Sequence, residues 1–313
     1  MSFVDKPQVF GASIKALTFG KEGKSVTIGG GNTYPLYTFD AAPVNTVKIG
    51  MVISDKGFDA SIPGMAKFYE GCSTVVEMAK RASELDHVDF VALEFESADP
   101  NGDNSSVDDC AALAKQVCDA INKPLAVIGC KNAEKDTELF VKVADVLRGE
   151  NILILSCKEE DYKTIAAASV LASGQNLGGE SAVDINLAKQ LNVLLSQMNI
   201  PMDKVVMNLG SAAAGYGFEY LASTIERVKD AALGQNDAML QMPVVTMCGD
   251  DAWGVKESLL EEADMPEWGA REERGIQMEI CTASAVIGSG TDAVILRHPE
   301  SVKVLSEMIS ELA

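Results

Sequence analysis

Histidine is nearly missing. Of 313 residues only His87 and His298 carry an imidazole, which removes a His-rich metal site and leaves few candidates for imidazole catalysis. Cysteine occurs seven times (Cys72, Cys110, Cys118, Cys130, Cys157, Cys248 and Cys281) but nowhere as C-x-x-C, so a zinc or iron–sulfur centre carried by this chain alone is not expected. An odd count without a leader peptide reads as free thiols in a reducing compartment, and Cys110 and Cys118 on one predicted helix read as packing residues. Positive charge is scarce: 26 Lys+Arg against 46 Asp+Glu leave a net charge of −20. With no basic cluster, such a chain is repelled by nucleic acid and by anionic membrane surfaces. No apolar run reaches the ~18–20 residues that a bilayer span needs, and the start, MSFVDKPQVFGASIK, lacks the apolar stretch of a signal peptide. A soluble, cytoplasmic protein is expected.

What is present is ordinary globular material, 47% hydrophobic and 23% charged, enough for a sizeable core. Residues 12–19 and 25–29 alternate as two strands around a turn at 20–23, a β-hairpin appended ahead of the rest. From residue 46 onward a strand, loop, helix unit repeats. Apolar β-branched runs fall at 48–54, 88–95, 124–130, 151–156, 204–209, 242–247 and 292–297, with a weaker candidate, QNLGG, at 175–179. Continuous runs of this kind suit parallel strands buried on both faces. Amphipathic helices lie between them. One is opened by Ser106 with Asp109 in a variant capping box, one spans 183–198, and the last starts at Pro299. Eight such units predict an α/β fold, a (β/α)8 TIM barrel over 46–313 with an N-terminal hairpin extension over 1–45, rather than an open doubly wound sheet.

In such a barrel the loops after the strands carry the chemistry. These loops are acidic, glycine-rich and poor in histidine. Asp99, Asn101 and Asp103 have a cation-loop composition without cation-loop spacing, and read as a solvated capping loop. Glu94 and Glu96 flank a strand end, where a buried carboxylate serves as acid or base or is held in a salt bridge. The stretch from Asn208 through Gly210, Ser211, Gly215, Tyr216 and Gly217 is the most unusual: small residues directly after a strand let backbone approach a large flat ligand. Trp253, Trp268 and Tyr216 are candidate contact aromatics as well as candidate core residues. Arg297 is a candidate anion ligand; His298 reads as a cap of the final helix, and His87 lies at the opposite, stability-bearing end.

Three familiar signatures fail. No phosphate-binding G-x-x-x-x-G-K-[ST] occurs, and the only G-x-G-x-x-A, from Gly288 to Ala293, follows a helix rather than a strand. The Asp-x-His-x-x-Gly signature by which many corrinoid proteins ligate cobalt is absent at both histidines.

Several segments read together resemble the small (delta) subunit of the corrinoid iron–sulfur protein of the acetyl-CoA decarbonylase/synthase (Wood–Ljungdahl) pathway. They are SADPNG (97–102), SVDDC (106–110), DINLAKQLN (184–192), GYGFEY (215–220), DAWGVKE (251–257), ERGIQMEICTA (273–283) and ILRHPE (295–300). The resemblance covers essentially the whole chain. It implies a heterodimer with a large subunit that carries the iron–sulfur cluster and most of the cobalamin site. It further implies methyl transfer from methyltetrahydrofolate, through its methyltransferase, to acetyl-CoA synthase/CO dehydrogenase. Cobalamin is then shared at the interface, with Asp99, Asn101, Asn132, Asn208, Gly210, Ser211, Gly215, Tyr216, Gly217 and Gly249 as the residues expected to face it. Clustered cysteines and a cobalt-ligating histidine motif belong, on this reading, to the partner, and the chain alone is not expected to be catalytic. The alternative is a stand-alone pterin-dependent methyltransferase barrel, with Asp99, Asn132 or Asn208 holding the pterin. An aldolase or isomerase barrel is a third reading, weakened because no Schiff-base lysine follows the strand at 204–209.

Overall fold

A computed structural model describes residues 4, 6–34 and 36–312. It opens with an antiparallel hairpin, β1 (Ala16–Lys21) and β2 (Lys24–Gly29). Eight further strands follow, all parallel to their neighbours: β3 (Lys48–Ser54), β4 (Phe90–Glu94), β5 (Leu125–Ile128), β6 (Leu153–Cys157), β7 (Asn176–Glu180), β8 (Val205–Asn208), β9 (Val245–Met247) and β10 (Ala293–Leu296). Their order is β8-β7-β6-β5-β4-β3-β10-β9. A parallel bridge between Met207 and Val244, with Met207 N–H donating to the Pro243 carbonyl at 2.8 Å, joins the two outer strands. The fold is the α/β barrel expected from the sequence. The weak segment QNLGG is a strand, β7, whose glycines are explained by packing: a Cβ on Gly178 would lie 2.7 Å from Leu155, and one on Gly179 3.1 Å from Leu191.

The helices that position the mouth are α1 (Pro63–Phe68), α2 (Val75–Ser83), α3 (Val107–Ala120), α4 (Ala133–Val146), α5 (Tyr162–Ala166), α6 (Ile185–Gln197), α7 (Phe218–Leu233), α8 (Cys248–Gly254), α9 (Lys256–Leu259), α10 (Arg271–Ser289) and α11 (Pro299–Leu312). Side-chain caps fix the starts of α2, α3, α4 and α6: Ser106 accepts from Asp109 N–H and donates to the Asp109 carboxylate, as the sequence suggests, Thr74 with Glu77 forms a full capping box on α2, and Asn132 and Asp184 cap α4 and α6. Cys110 and Cys118 are buried on the inner face of α3. His87 hydrogen-bonds Ser306 at 3.2 Å, well away from the strand ends that carry loops.

Strand parity divides the interior. Ile49, Met51, Val91, Leu93 and Val127 face the helices, while the residues alternating with them along the strands, Val52, Phe90, Ala92, Ala126, Leu153, Val206, Ala293 and Ile295, face the barrel axis. The axial residues share their cluster with Leu17, Phe19, Val26 and Ile28 of the hairpin. The hairpin therefore lies against the floor of the barrel rather than beside it. Gly20 N–H donates to the Asn151 carbonyl, Lys15 N–H to that of Gln241, and Lys24 Nζ to that of Cys118; Asn151 and Gln241 lie ahead of β6 and β9, and Cys118 lies near the end of α3, ahead of β5. Phe19 meets Phe90 edge-on with ring centroids 5.3 Å apart. Phe90 fits because Gly50 faces it, where a Cβ would sit 2.3 Å from the ring.

Candidate functional site at the barrel mouth

The same parity that points Phe90 and Ala92 at the axis also points Glu94 there, one step higher. Glu180 and Asn208 at the ends of β7 and β8, and Arg297 just after β10, extend the inward series of their strands in the same way. The lower layers are apolar and this upper one is polar, so the mouth is the first level at which charge enters the interior.

Glu94 is buried, and one of its oxygens, Oε2, has no hydrogen-bond partner among the described residues. Lys131, in the loop after β5, brings its ammonium to 3.7 Å from Glu94 Oε1 and 2.8 Å from Asp250 Oδ2. Arg297 reaches Asp250 Oδ1 at 2.8 Å and Glu96 at 3.9 Å. Asp250, near the start of α8, is thus gripped by two cations. Although burial acts against it, Lys131 and Arg297 hold its carboxyl below the usual range. Glu94 goes the other way: burial first, and then the negative charge of Asp250, push it up to about 8. Two neighbouring carboxyls are driven apart, one ionised and one retaining its proton at neutral pH. They line a cavity of about 290 Å³ with Glu96, Asp99, Cys130, Lys131 and Arg297.

The residues expected from the sequence are spread over this mouth. Asp99 lines the cavity, while Asn101 is exposed and bonds back to it: Asp99 Oδ1 accepts from Asn101 N–H at 2.9 Å. Asn132 is the N-cap of α4, its Oδ1 taken by Lys135 N–H at 3.1 Å. Asn208 is buried; its amide donates to Ser156 Oγ at 3.0 Å and accepts from Gly210 N–H at 3.1 Å. Ser211 Oγ donates to the Met247 carbonyl at 2.7 Å. Gly210, Gly215 and Gly217 have φ of +90°, +84° and +89°, the left-handed conformation that makes this loop possible. Tyr216 is exposed, its hydroxyl donating to Glu257 at 2.6 Å. Gly249 is buried where a Cβ would lie 3.1 Å from the Arg297 backbone nitrogen. Asp99 thus borders the Glu94 cavity, whereas Asn208, Gly210, Ser211, Gly215, Tyr216 and Gly217 form a ledge along the β8 side of the mouth.

Lys131 and Asp250 were not singled out by sequence reasoning, being 119 positions apart in loops. The available signal was parity: counting two residues up from Ala92 and from Ile295 predicts that Glu94 and Arg297 face inward together. A second unread residue is Glu279 on α10, fully buried, which accepts from the backbone N–H groups of Arg297 and His298 and so fixes the end of β10. His298 does cap the last helix: its Nδ1 accepts from Glu300 N–H at 3.1 Å, while Nε2 meets Glu272 at 3.1 Å. No set of three His, Cys, Asp or Glu among the described residues is arranged to hold a metal ion, and no described helix is long and apolar enough to cross a membrane.

Comparison with known proteins adds the following. A family model for the CO dehydrogenase/acetyl-CoA synthase delta subunit matches residues 16–311. Acetyl-CoA decarbonylase/synthase complex subunit delta 1 of Methanosarcina thermophila is 31% identical over 299 residues, 94% of this chain and 67% of that protein. Subunit delta of Archaeoglobus fulgidus is 31% identical over 298 residues, 92% of this chain and 64% of its own. The chain thus spans about two thirds of the length of these relatives. Among solved structures, dihydropteroate synthase of Xanthomonas albilineans with 4-aminobenzoic acid superposes with a TM-score of 0.56 at 11% identity, covering 95% of this chain and 98% of that one. The Thermus thermophilus enzyme in complex with 6HMPPP gives 0.55 at 11% identity, covering 95% and 100%. At that identity the likeness is one of fold.

Proposed function

Since the chain belongs to the CO dehydrogenase/acetyl-CoA synthase delta-subunit family, we propose that it is the small half of a heterodimeric corrinoid iron–sulfur methyl carrier, its barrel mouth closing over one face of a cobalamin held mainly by a larger subunit. The observation that carries this reading is the extent of the family match, which runs through the barrel and all of its mouth loops.

The ledge suits a macrocycle. From Gly210 to Gly215 no side chain is larger than serine or alanine, Gly210, Ser211, Ala212, Ala214 and Gly215 are all at least partly accessible, and Tyr216 stands exposed at the edge. Backbone and Cβ atoms thus offer a flat surface for van der Waals contact, and an exposed tyrosine adds an amphipathic ring at the rim. The polar side chains behind the ledge are already committed: Ser211 to Met247, and Asn208 to Ser156 and Gly210. They stiffen the ledge instead of contributing free donors. When bound, the corrinoid supplies the cobalt that carries the methyl group. The chain's own residues exclude water from one face of it and hold the loop geometry, a task that needs no reacting group on this side.

A second reading, a pterin-dependent methyltransferase acting alone, is favoured by the Glu94 cavity, in which a protonated carboxyl with an unpartnered oxygen is set beside a lysine and an arginine. One experiment separates the two. The chain is expressed alone and together with the large subunit, the visible absorbance of corrinoid is recorded, and methyl transfer from methyltetrahydrofolate is assayed. Corrinoid is expected only in the copurified heterodimer, with no turnover by the single chain, and Gly215→Trp is expected to disrupt docking. Tight pterin binding with turnover by the chain alone would favour the second reading, and a heterodimer free of corrinoid would overturn the first.

A further inference from the structure

A second cavity, of about 300 Å³, lies between the loops that follow β3 and β10. It shares two lining residues with the Glu94 cavity, Glu96 and Arg297. Its body is apolar, formed by side chains that include Phe58, Ile62, Met65, Met78 and Leu259. Three cations, Lys56, Arg271 and Arg297, reach its wall. An apolar pocket with a few set polar groups is the usual form of a small-molecule site, so what these cations still have to offer decides its chemistry.

Two of the three are already engaged. Lys56 lies 2.8 Å from Asp103. Every guanidinium nitrogen of Arg271 is taken: Nε by the Ser258 carbonyl, Nη1 by Ser61 and Glu261, and Nη2 by Asp59. Arg297 differs. Of its five side-chain N–H groups one is used, from Nη2 to Asp250 Oδ1 at 2.8 Å. Nε and Nη1 have no hydrogen-bond partner among the described residues and are not sealed from solvent; the side chain as a whole is 32% exposed. Whichever Nη2 hydrogen Asp250 accepts, one edge with two parallel N–H groups stays open. Glu96, at 3.9 Å, is too far to fill it. Asp250 lines the Glu94 cavity and not this one, so the engaged corner of Arg297 lies on the Glu94 side of the shared wall. The fork is also held in place, because the buried carboxylate of Glu279 accepts from the Arg297 backbone N–H.

We propose that this cavity binds a small monocarboxylate with an apolar body, the carboxylate on the open edge of Arg297 and the body among Phe58, Met65 and Met78. A planar carboxylate matches two parallel guanidinium N–H groups. With Glu96 and Asp250 both near the fork, one negative charge is tolerated better than the two of a phosphate. The net charge of −20 is screened beyond about 8 Å at physiological ionic strength, which leaves the choice to these neighbours. The proposal goes beyond the methyl-carrier reading and depends on neither a corrinoid nor a pterin.

Phenylpropionate is the probe, and its amide, of the same shape without the charge, is the control. Binding to the full chain is measured by calorimetry, with thermal melting of each variant alongside. The acid is expected to bind at least tenfold more tightly than the amide, and inorganic phosphate not to displace it at equal concentration. Arg297→Lys keeps the charge and loses the edge; it is expected to weaken the acid about tenfold or more, the worth of charge-assisted hydrogen bonds. Met78→Asp, in a side chain that lines this cavity and not the other, is expected to weaken it about as much. Glu96→Gln removes a like charge and is expected to tighten binding roughly two- to fivefold. No binding of the acid at millimolar concentration, equal binding of the amide, displacement by phosphate, an affinity untouched by Met78→Asp, or weaker binding by Glu96→Gln would each overturn the proposal. If Arg297→Lys fails to fold, the amide comparison on the parent chain and the Met78→Asp arm decide.

Discussion

Glu94 illustrates how a single side chain can record its surroundings. In the folded chain it holds its proton up to about pH 8, whereas an unperturbed glutamate releases it near 4.5. Between those values the folded state binds one proton more than the unfolded state, so stability falls as pH rises, fully present below 4.5 and lost progressively toward 8. Glu94→Gln keeps the shape and removes the titration. The variant is expected to match the parent within about 1 kcal/mol near pH 5 and to exceed it by a few kcal/mol at pH 8.5. Urea unfolding at the two pH values checks this, and an undiminished pH dependence in the variant would assign the decline to another group. The sequence placed Glu94 at a strand end. It did not reveal that Lys131 and Asp250 stand around it, because nothing local in either loop records a partner more than a hundred positions away.

At the scale of elements, the barrel strands were readable because burial on both faces leaves a continuous apolar run, and the helices because they keep an apolar stripe. The hairpin shows where that reading stops. Its alternation identified two strands and a turn, but the face that Leu17, Phe19, Val26 and Ile28 bury is the inside of the barrel, a contact that periodicity does not encode. Gly50 was equally silent until Phe90 was seen lying across it. A test follows from Phe19, which is fully buried against Phe90. Phe19→Ala is expected to cost about 3–5 kcal/mol, the range for emptying a packed aromatic site. Denaturant titration of the whole chain measures it; a loss under 1 kcal/mol would show that the hairpin is dispensable to the barrel. The mouth residues were legible in part for a related reason. The small-residue loop at 210–217 was evident from composition, whereas the commitment of Asn208 and Ser211 to Ser156, Gly210 and Met247 depends on how the ends of β6, β8 and β9 converge.

For the whole molecule the dominant quantity is charge. A net −20 spread over 313 residues repels itself in the compact state, and added salt screens that repulsion over roughly 10 Å at 0.1 M. The melting temperature is therefore expected to rise by several degrees between 0.01 and 0.3 M sodium chloride, as read by circular dichroism. A flat or falling trend would mean that the local ion pairs, such as Arg297–Asp250 and Lys229–Asp292, outweigh the global repulsion. Composition alone carried this property, since it depends on totals and not on placement.

The hairpin stopper has a consequence for traffic. Packed side chains fill the axis and the hairpin covers its foot, so solvent, protons and small molecules reach Glu94 only over the lip formed by the loops. A partner seated on that lip, as proposed above, would act as its cover, and its arrival and departure would set the rhythm at which the Glu94 cavity exchanges its contents.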